Sequence, residues 1–307
     1  MAKKNDEKKR SMYLFNNKYE PLLYIVPFAI GLLIFTVYPI INVFVMSLKN
    51  GYRLSGSFNG YGIENFKYVL GNKDFLSSIK NTFVYVFSVV PVATVISIII
   101  ATLLNQKIKG MAIFQTAYFL PMVTSSIAVG ISWRYMFNTK YGIINYFLKM
   151  FGFQPVEWLG AIGGVAKYNW LVVTIFGIWN MLPFTIILLL SGLQNIDPMY
   201  YTAARVDGAS SLKIFRRITV PLLAPTIFLT MIVNMISAFK VYNELIPFWN
   251  GKPGVLGNNL YTMVYWIKET FYNNLRLGHA AAASLVLFSI ILVFTMIQRA
   301  IQRHFDN

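Results

Sequence analysis

The sequence predicts an all-α, polytopic membrane protein with six transmembrane helices, and three observations carry that reading. Hydrophobic residues fill 56% of the 307 positions and charged residues only 12%, with a mean hydropathy of +0.55, too apolar for a chain that must clothe itself in polar surface. Apolar runs near the roughly 20 residues needed to cross a bilayer recur six times between polar stretches. The 27 Lys and Arg residues lie scattered among the connecting segments rather than in one soluble domain. The net charge of +16 therefore points to anionic membrane lipids as partner and not to nucleic acid. Cysteine is absent and the two histidines, His279 and His304, lie far apart in sequence, which leaves no disulfide framework and no metal-ligand cluster.

Residues 1–20 hold six Lys or Arg and form a basic cytoplasmic tail. The apolar run that follows is too long for a signal peptide and lacks a small-residue cleavage site, so it is a retained first span, from about Pro21 to Leu48. Lys49 to Lys80 is polar and glycine-rich with an amphipathic piece at Ile63 to Leu70, an external loop. Span two covers Asn81 to Leu104, with Pro91 as a kink. After a tight basic turn at Gln106 to Gly110, span three continues from Met111 to Phe137 through Pro121. Asn138 to Asn169 is too interrupted to span and caps the outer face. Span four is Trp170 to Gly192, span five Ile218 to Phe248, and span six Gly278 to Gln298, with an amphipathic segment at Tyr261 to Tyr272 in the outer loop before it. With this partition the inner segments carry fourteen basic residues and the much longer outer loops eleven. The density of positive charge places both termini in the cytoplasm.

Between spans four and five, Leu193 to Thr226 carries Asp197, Arg205, Asp207, Lys213, Arg216 and Arg217, so its polar part cannot sit in hydrocarbon. Its order is readable locally. Asp197 is a good N-cap and Pro198 suits the first helical position. Gly208 supplies a left-handed closing residue after a helix of about ten residues, roughly 15 Å. Ser210 or Ser211 can cap the helix that leads into span five. Tyr200, Ala203, Ala204 and Asp207 share one side of the first helix at helical spacing. That face suits either a plug seated in a groove of another protein or a helix lying on headgroups, and the residues alone leave both open.

Few polar residues enter the spans. Lys240 lies 22 residues beyond Ile218 and Arg134 lies 23 beyond Met111, roughly 33 and 35 Å along a helix, which puts both at the outer interface within snorkelling reach. Lys240 and Glu244, at i and i+4, could form an outer-mouth ion pair that touches solute. Asn180 and Asn234 are placed deeper, and an amide there needs either another helix or a hydroxyl-rich solute in a wet cavity. Trp179 and Phe184 flank Asn180, and aromatic faces beside an amide suit the alternating CH and OH faces of a sugar.

The string TAARVDGASSLKIFRRITVPLL closely resembles the cytoplasmic signature loop, often called the EAA loop, of permease subunits in ATP-driven uptake systems. Ala203, Ala204, Asp207, Gly208, Ala209, Phe215, Ile218 and Pro221 fall in the expected places, while Thr202 stands where that family usually has glutamate. The likeness extends through YFLP, WRYMFNTKYGIINYFL, VEWLG, SGLQNIDP and GHAAAASLVLFSIIL to the carbohydrate-uptake class, the maltose-permease-like, binding-protein-dependent inner-membrane components of ABC transporters. It implies a domain over 21–307 with its core at 77–302 and its coupling loop at 193–226. It further implies a bacterial plasma membrane location, and as partners a second permease subunit, two ATPase subunits, an extracellular solute-binding protein and a sugar substrate. The chain itself would catalyse no bond chemistry and bind no cofactor, ATP and Mg being used by the ATPases. By resemblance Tyr201, Thr202, Ala203, Ala204, Asp207, Gly208 and Ala209 couple to the ATPase. The substrate path would run past Met122, Gly177, Asn180, Met181, Phe184, Asn234, Ser237 and Ala238, with Lys240 and Glu244 at the outer mouth.

A glycerol phosphate or phosphodiester is the alternative cargo, and would give Lys240 more to do. A secondary transporter or channel would need coupling-ion carboxylates at mid-depth, where Glu244 is the only acidic candidate and too shallow. A membrane-embedded transferase would need paired acids or histidines, and the sequence offers none.

Overall fold

A computed structural model describes residues 20–106, 111–159, 168–249 and 260–306. The basic tail, the turn at 107–110 and parts of two outer loops, 160–167 and 250–259, lie outside the described residues. Helix α1 (Glu20–Leu32) passes through a π-helical turn, Leu33–Val37, into α2 (Tyr38–Leu48), and together they make the first crossing. Then come a short outer helix α3 (Glu64–Gly71) and the second crossing α4 (Lys73–Leu104). The third crossing divides into α5 (Met111–Val123) and α6 (Ser126–Met136), followed by the outer α7 (Ile143–Met150). The fourth is α8 (Asn169–Gln194), and after the short α9 (Pro198–Val206) a single rod forms the fifth: α10 (Ser211–Ile214), a π turn (Phe215–Thr219) and α11 (Val220–Phe239). The outer α12 (Met263–Lys268) precedes the last crossing, α13 (Leu277–Asp306).

Five helices among the described residues are long and apolar enough to cross a membrane, and the bent pair α5 and α6, taken as one span, makes six. Their packing has α4 at the centre, against α8 and α11, with α13 on α11 and α2 on α13. The main core gathers Tyr85, Val86, Val89 and Val90 of α4, Val172, Val173 and Phe176 of α8, and Met235, Ala238 and Phe239 of α11. A second cluster, with Leu104, Ile186, Leu189, Leu193 and Leu223, closes the opposite end.

The observed elements correct the sequence reading in four places. Span two begins at Lys73, because Asn72 caps it, its side chain accepting the Phe75 N–H at 3.0 Å. Pro91 lies inside this helix without ending it. Span three is not one helix but turns through 102° between Val123 and Ser126. Ser125 adopts an extended backbone and caps α6, while the Thr124 hydroxyl donates to the Pro121 carbonyl at 2.9 Å. The helical part of span five stops at Phe239, and Ile246–Phe248 forms only a 3-10 turn. Span six continues to Asp306, eight residues past Gln298.

Candidate functional site

The segment between the fourth and fifth crossings is built by local hydrogen bonds. The Asp197 carboxylate accepts the Met199 N–H at 2.8 Å and starts α9, with Pro198 at its first position. The helix closes at Asp207: the Asp207 N–H donates to the Ala203 carbonyl at 3.0 Å, and Ala209 N–H reaches the Ala204 carbonyl at 2.9 Å. Gly208, at φ +68°, permits that last bond, since a side-chain-bearing residue is strained in the left-handed region. Ser210, not Ser211, caps the next helix by accepting the Lys213 N–H.

Of the predicted coupling residues, Thr202, Ala203, Asp207 and Gly208 are exposed, Tyr201 and Ala209 are half-buried, and Ala204 turns inward. Tyr200, Ala203 and Asp207 thus remain on the outer face and Ala204 leaves it. Met199, Tyr200 and Val206 add exposed apolar surface, Val206 at 83%. The Thr202 hydroxyl donates to the Pro198 carbonyl of its own helix at 3.2 Å. α10 then runs through the π turn into α11 without a break, so α9 is tied to the fifth crossing by four residues, Asp207 to Ser210.

The residues assigned to the solute path separate into three sets. Asn180, Met181 and Phe184 are half-buried on α8, and Met122 and Ser237 are exposed. Gly177, Asn234 and Ala238 lie inside the helix packing. A Cβ on Gly177 would stand 2.5 Å from the Tyr85 hydroxyl oxygen, so this glycine lets Tyr85 of α4 pack directly on the α8 backbone. Asn234 donates from Nδ2 to Thr185 Oγ1 at 2.9 Å, which makes its partner the neighbouring span rather than a solute. It sits five residues from the end of α11, roughly 7.5 Å, level with Thr185, which lies sixteen residues into α8. Lys240 and Glu244 do not pair: the helix ends before Lys240, the i, i+4 geometry is lost, and Glu244 accepts the Tyr242 N–H at 3.4 Å.

A cavity of about 180 Å³ lies between the third and fourth crossings, lined by Tyr118 and Pro121 of α5 and Trp179, Leu182 and Pro183 of α8. Trp179 belongs to an aromatic stack with Trp133 at 5.6 Å and Phe176 at 6.1 Å. Tyr118 escaped the sequence reading because it sits unmarked within an apolar run, its placement fixed only by the α5 to α8 packing. At the far end, burial foremost and then the neighbouring carboxylates Asp74 and Glu269 push the Tyr261 phenol well above its usual range. Burial and then the Glu269 carboxylate do the same for Tyr265, which stays protonated and donates to Glu269 at 3.2 Å.

Comparisons with known proteins agree with this architecture. The arabinooligosaccharides transport system permease protein AraP of Bacillus subtilis (strain 168) is 31% identical over 296 residues, 95% of this chain and 91% of that one. The trehalose/maltose transport system permease protein MalF of Thermococcus litoralis is 29% identical, covering 92% of each. The crystal structure of a bacterial ABC transporter involved in the import of the acidic polysaccharide alginate superposes with a TM-score of 0.81 at 21% identity, over 96% of this chain and 99% of that one, a likeness of fold. The family model for the binding-protein-dependent transport system inner membrane component matches residues 68–307. With a fold of six crossings, the chain belongs to the family of binding-protein-dependent transport system inner membrane components.

Proposed function

We propose that this chain is one of two permease subunits of an ATP-driven importer for a sugar or oligosaccharide, and that α9 is the element through which cytosolic ATPases move it. The observation that carries the reading is the build of the 197–211 segment: a short helix capped at both ends, apolar and exposed, held by a four-residue turn to an unbroken rod that crosses the bundle. Exposed Met199, Tyr200 and Val206 beside the small Ala203 suit insertion into a cleft of another protein. The same face would lie less well on headgroups, because Asp197 and Asp207 close both of its ends and anionic lipid repels them.

The binding-protein dependence of the family supports delivery of solute at the opposite end of the bundle. The names of the two relatives support a sugar cargo, and the amide of Asn180 near the Trp179 cavity offers the chemistry for one. By alternation of six crossings both termini lie with α9 in the cytosol, in keeping with the density of basic residues. ATP hydrolysis then belongs to the partner subunits.

The test is Gly208→Val in the reconstituted importer. A β-branched residue at φ +68° strains or opens the turn. Solute-stimulated ATP hydrolysis should fall at least about tenfold, which corresponds to roughly 1.4 kcal/mol of lost coupling, while the subunits still co-purify. Full stimulation in that variant would refute the docking role of α9.

A further inference from the structure

The end of the bundle opposite α9 holds a constellation that neither the solute cavity nor α9 uses. Between the tips of the first and last crossings lies a cavity of about 440 Å³, lined by Tyr52, Arg53, Phe58, Asn59, Arg276 and His279 among others, none of them acidic. Lys49 Nζ stands over the Tyr52 and Phe58 rings at 4.9 and 5.2 Å, which sets a third basic group beside the two arginines of the lining.

Both walls are fixed. On one side the 50–60 loop is laced by Asn50 N–H to Gly60 carbonyl at 2.9 Å, Asn59 N–H to Asn50 carbonyl at 2.8 Å and Arg53 N–H to Ser57 carbonyl at 3.2 Å. Fully buried Asn65 anchors this loop, its Nδ2 donating to the Ser47 and Lys49 carbonyls at 2.8 and 2.7 Å. On the other side Arg276 donates from Nη1 to the Tyr68 hydroxyl at 2.9 Å, and Tyr68 stacks on His279 at 4.0 Å and 8°. Gly278 N–H joins the walls by donating to the Tyr52 carbonyl at 3.0 Å. One Arg276 donor is thereby used, and the rest of its guanidinium, with that of Arg53, presents the fork that matches a phosphate.

The helices that carry this cavity are apolar and exposed just beneath it. Phe44, Ile41 and Ile40 on α2 are more than half exposed, as is Phe288 on α13, and Phe44 lies five residues below Lys49, roughly 7.5 Å. A basic cavity at the water boundary above an apolar flank fits a molecule with an anionic head and hydrocarbon tails. We propose that it binds the phosphodiester headgroup of an anionic phospholipid of the outer leaflet, which clasps the tips of the first and last crossings together. The proposal rests on the orientation given under the proposed function, which sets this end outside.

The test uses the assembled importer, purified in detergent, loaded with phosphatidylglycerol, challenged with phosphatidylcholine and weighed by native mass spectrometry. The wild type should retain phosphatidylglycerol through the challenge. Arg53→Gln with Arg276→Gln should lower its retention about tenfold or more, the scale of a lost charge-assisted contact. Asn59→Asp, which adds a negative charge in an exposed loop and removes no packed group, should lower it too, whereas Lys149→Gln on the distant α7 should not. Equal retention by wild type and the cavity variants overturns the proposal. So does full displacement of the lipid by millimolar inorganic phosphate, which would make this a site for a free anion. Unchanged retention with lost stimulation by the binding protein would assign the cavity to an acidic side chain of that partner instead. A Ser55→Cys variant of this cysteine-free chain, exposed in the same loop but outside the cavity lining, tests the orientation separately from the lipid. It should react with a membrane-impermeant maleimide on intact cells; absence of reaction rejects the orientation, while reaction together with equal lipid retention by wild type and the cavity variants rejects the lipid site alone.

Discussion

Gly177 and Asn180 lie three residues apart on α8 and do different work. Gly177 faces the Tyr85 hydroxyl across the α4 to α8 contact, so Gly177→Ala should overpack it and cost about 1–3 kcal/mol. Thermal unfolding of the purified complex measures this, and Tyr85→Phe in the same chain should recover part of the loss by removing the nearest atom, the ring carbons staying 3.0 and 3.1 Å away. Asn180 is half-buried next to the cavity-lining Trp179. Asn180→Ala should weaken uptake at limiting solute in proteoliposomes by about fivefold to tenfold, the range of one or two lost hydrogen bonds, without altering the basal ATPase rate. Normal uptake would remove it from the path. Sequence could not separate Asn180 from Asn234, because both are amides in apolar runs. The Thr185 hydroxyl that satisfies Asn234 stands 49 positions away. Buried Asn65 was hidden for the same reason, its carbonyl partners lying 16 and 18 residues upstream.

Among the elements, α9 was legible almost to the residue because its signals are local: a capping carboxylate, a proline at the first position and a glycine after the end. Asp197→Ala removes the side chain that takes the Met199 N–H and should cost about 1 kcal/mol of helix order. Hydrogen exchange at Met199 to Tyr201 should then quicken about fivefold, with little change in α11. The corner in the third crossing was not legible. Pro121 signalled a disturbance, but a proline can also be carried inside a helix, as Pro91 is. What decides between them is the packing of α5 on α8 and of α6 on the Ile246–Phe248 turn, partners that a local pattern does not contain. The early end of α11 has a similar origin. The apolar run continues to Phe248, but Val241, Leu245 and Phe248 are buried as a folded-back turn rather than as a further turn of helix.

Across the whole molecule, the number of crossings and the grouping of polar loops followed from composition, since hydrocarbon admits little besides apolar helix. The arrangement of the crossings did not, because lipid-facing and helix-facing apolar residues look alike in sequence. The first crossing is the clearest instance: no residue of its apolar window is buried within this chain, and Phe35 is 81% exposed. If that surface receives the second permease, a Phe35→Cys side chain should react with a maleimide in detergent several-fold more slowly in the co-purified pair than in the chain alone. Equal rates would leave the surface to lipid. The right-angled corner at Thr124 and Ser125 bears on the assembly as well. Its neighbours Met122 and Val123 are exposed in the single chain, yet a peptide that has left helical geometry has groups which hydrocarbon cannot satisfy. Oil is therefore a poorer neighbour for that elbow than water or another protein wall, even with Thr124 bonded back to Pro121. If the elbow lies at hydrocarbon depth, it marks a flank of the subunit that turns away from the surrounding bilayer.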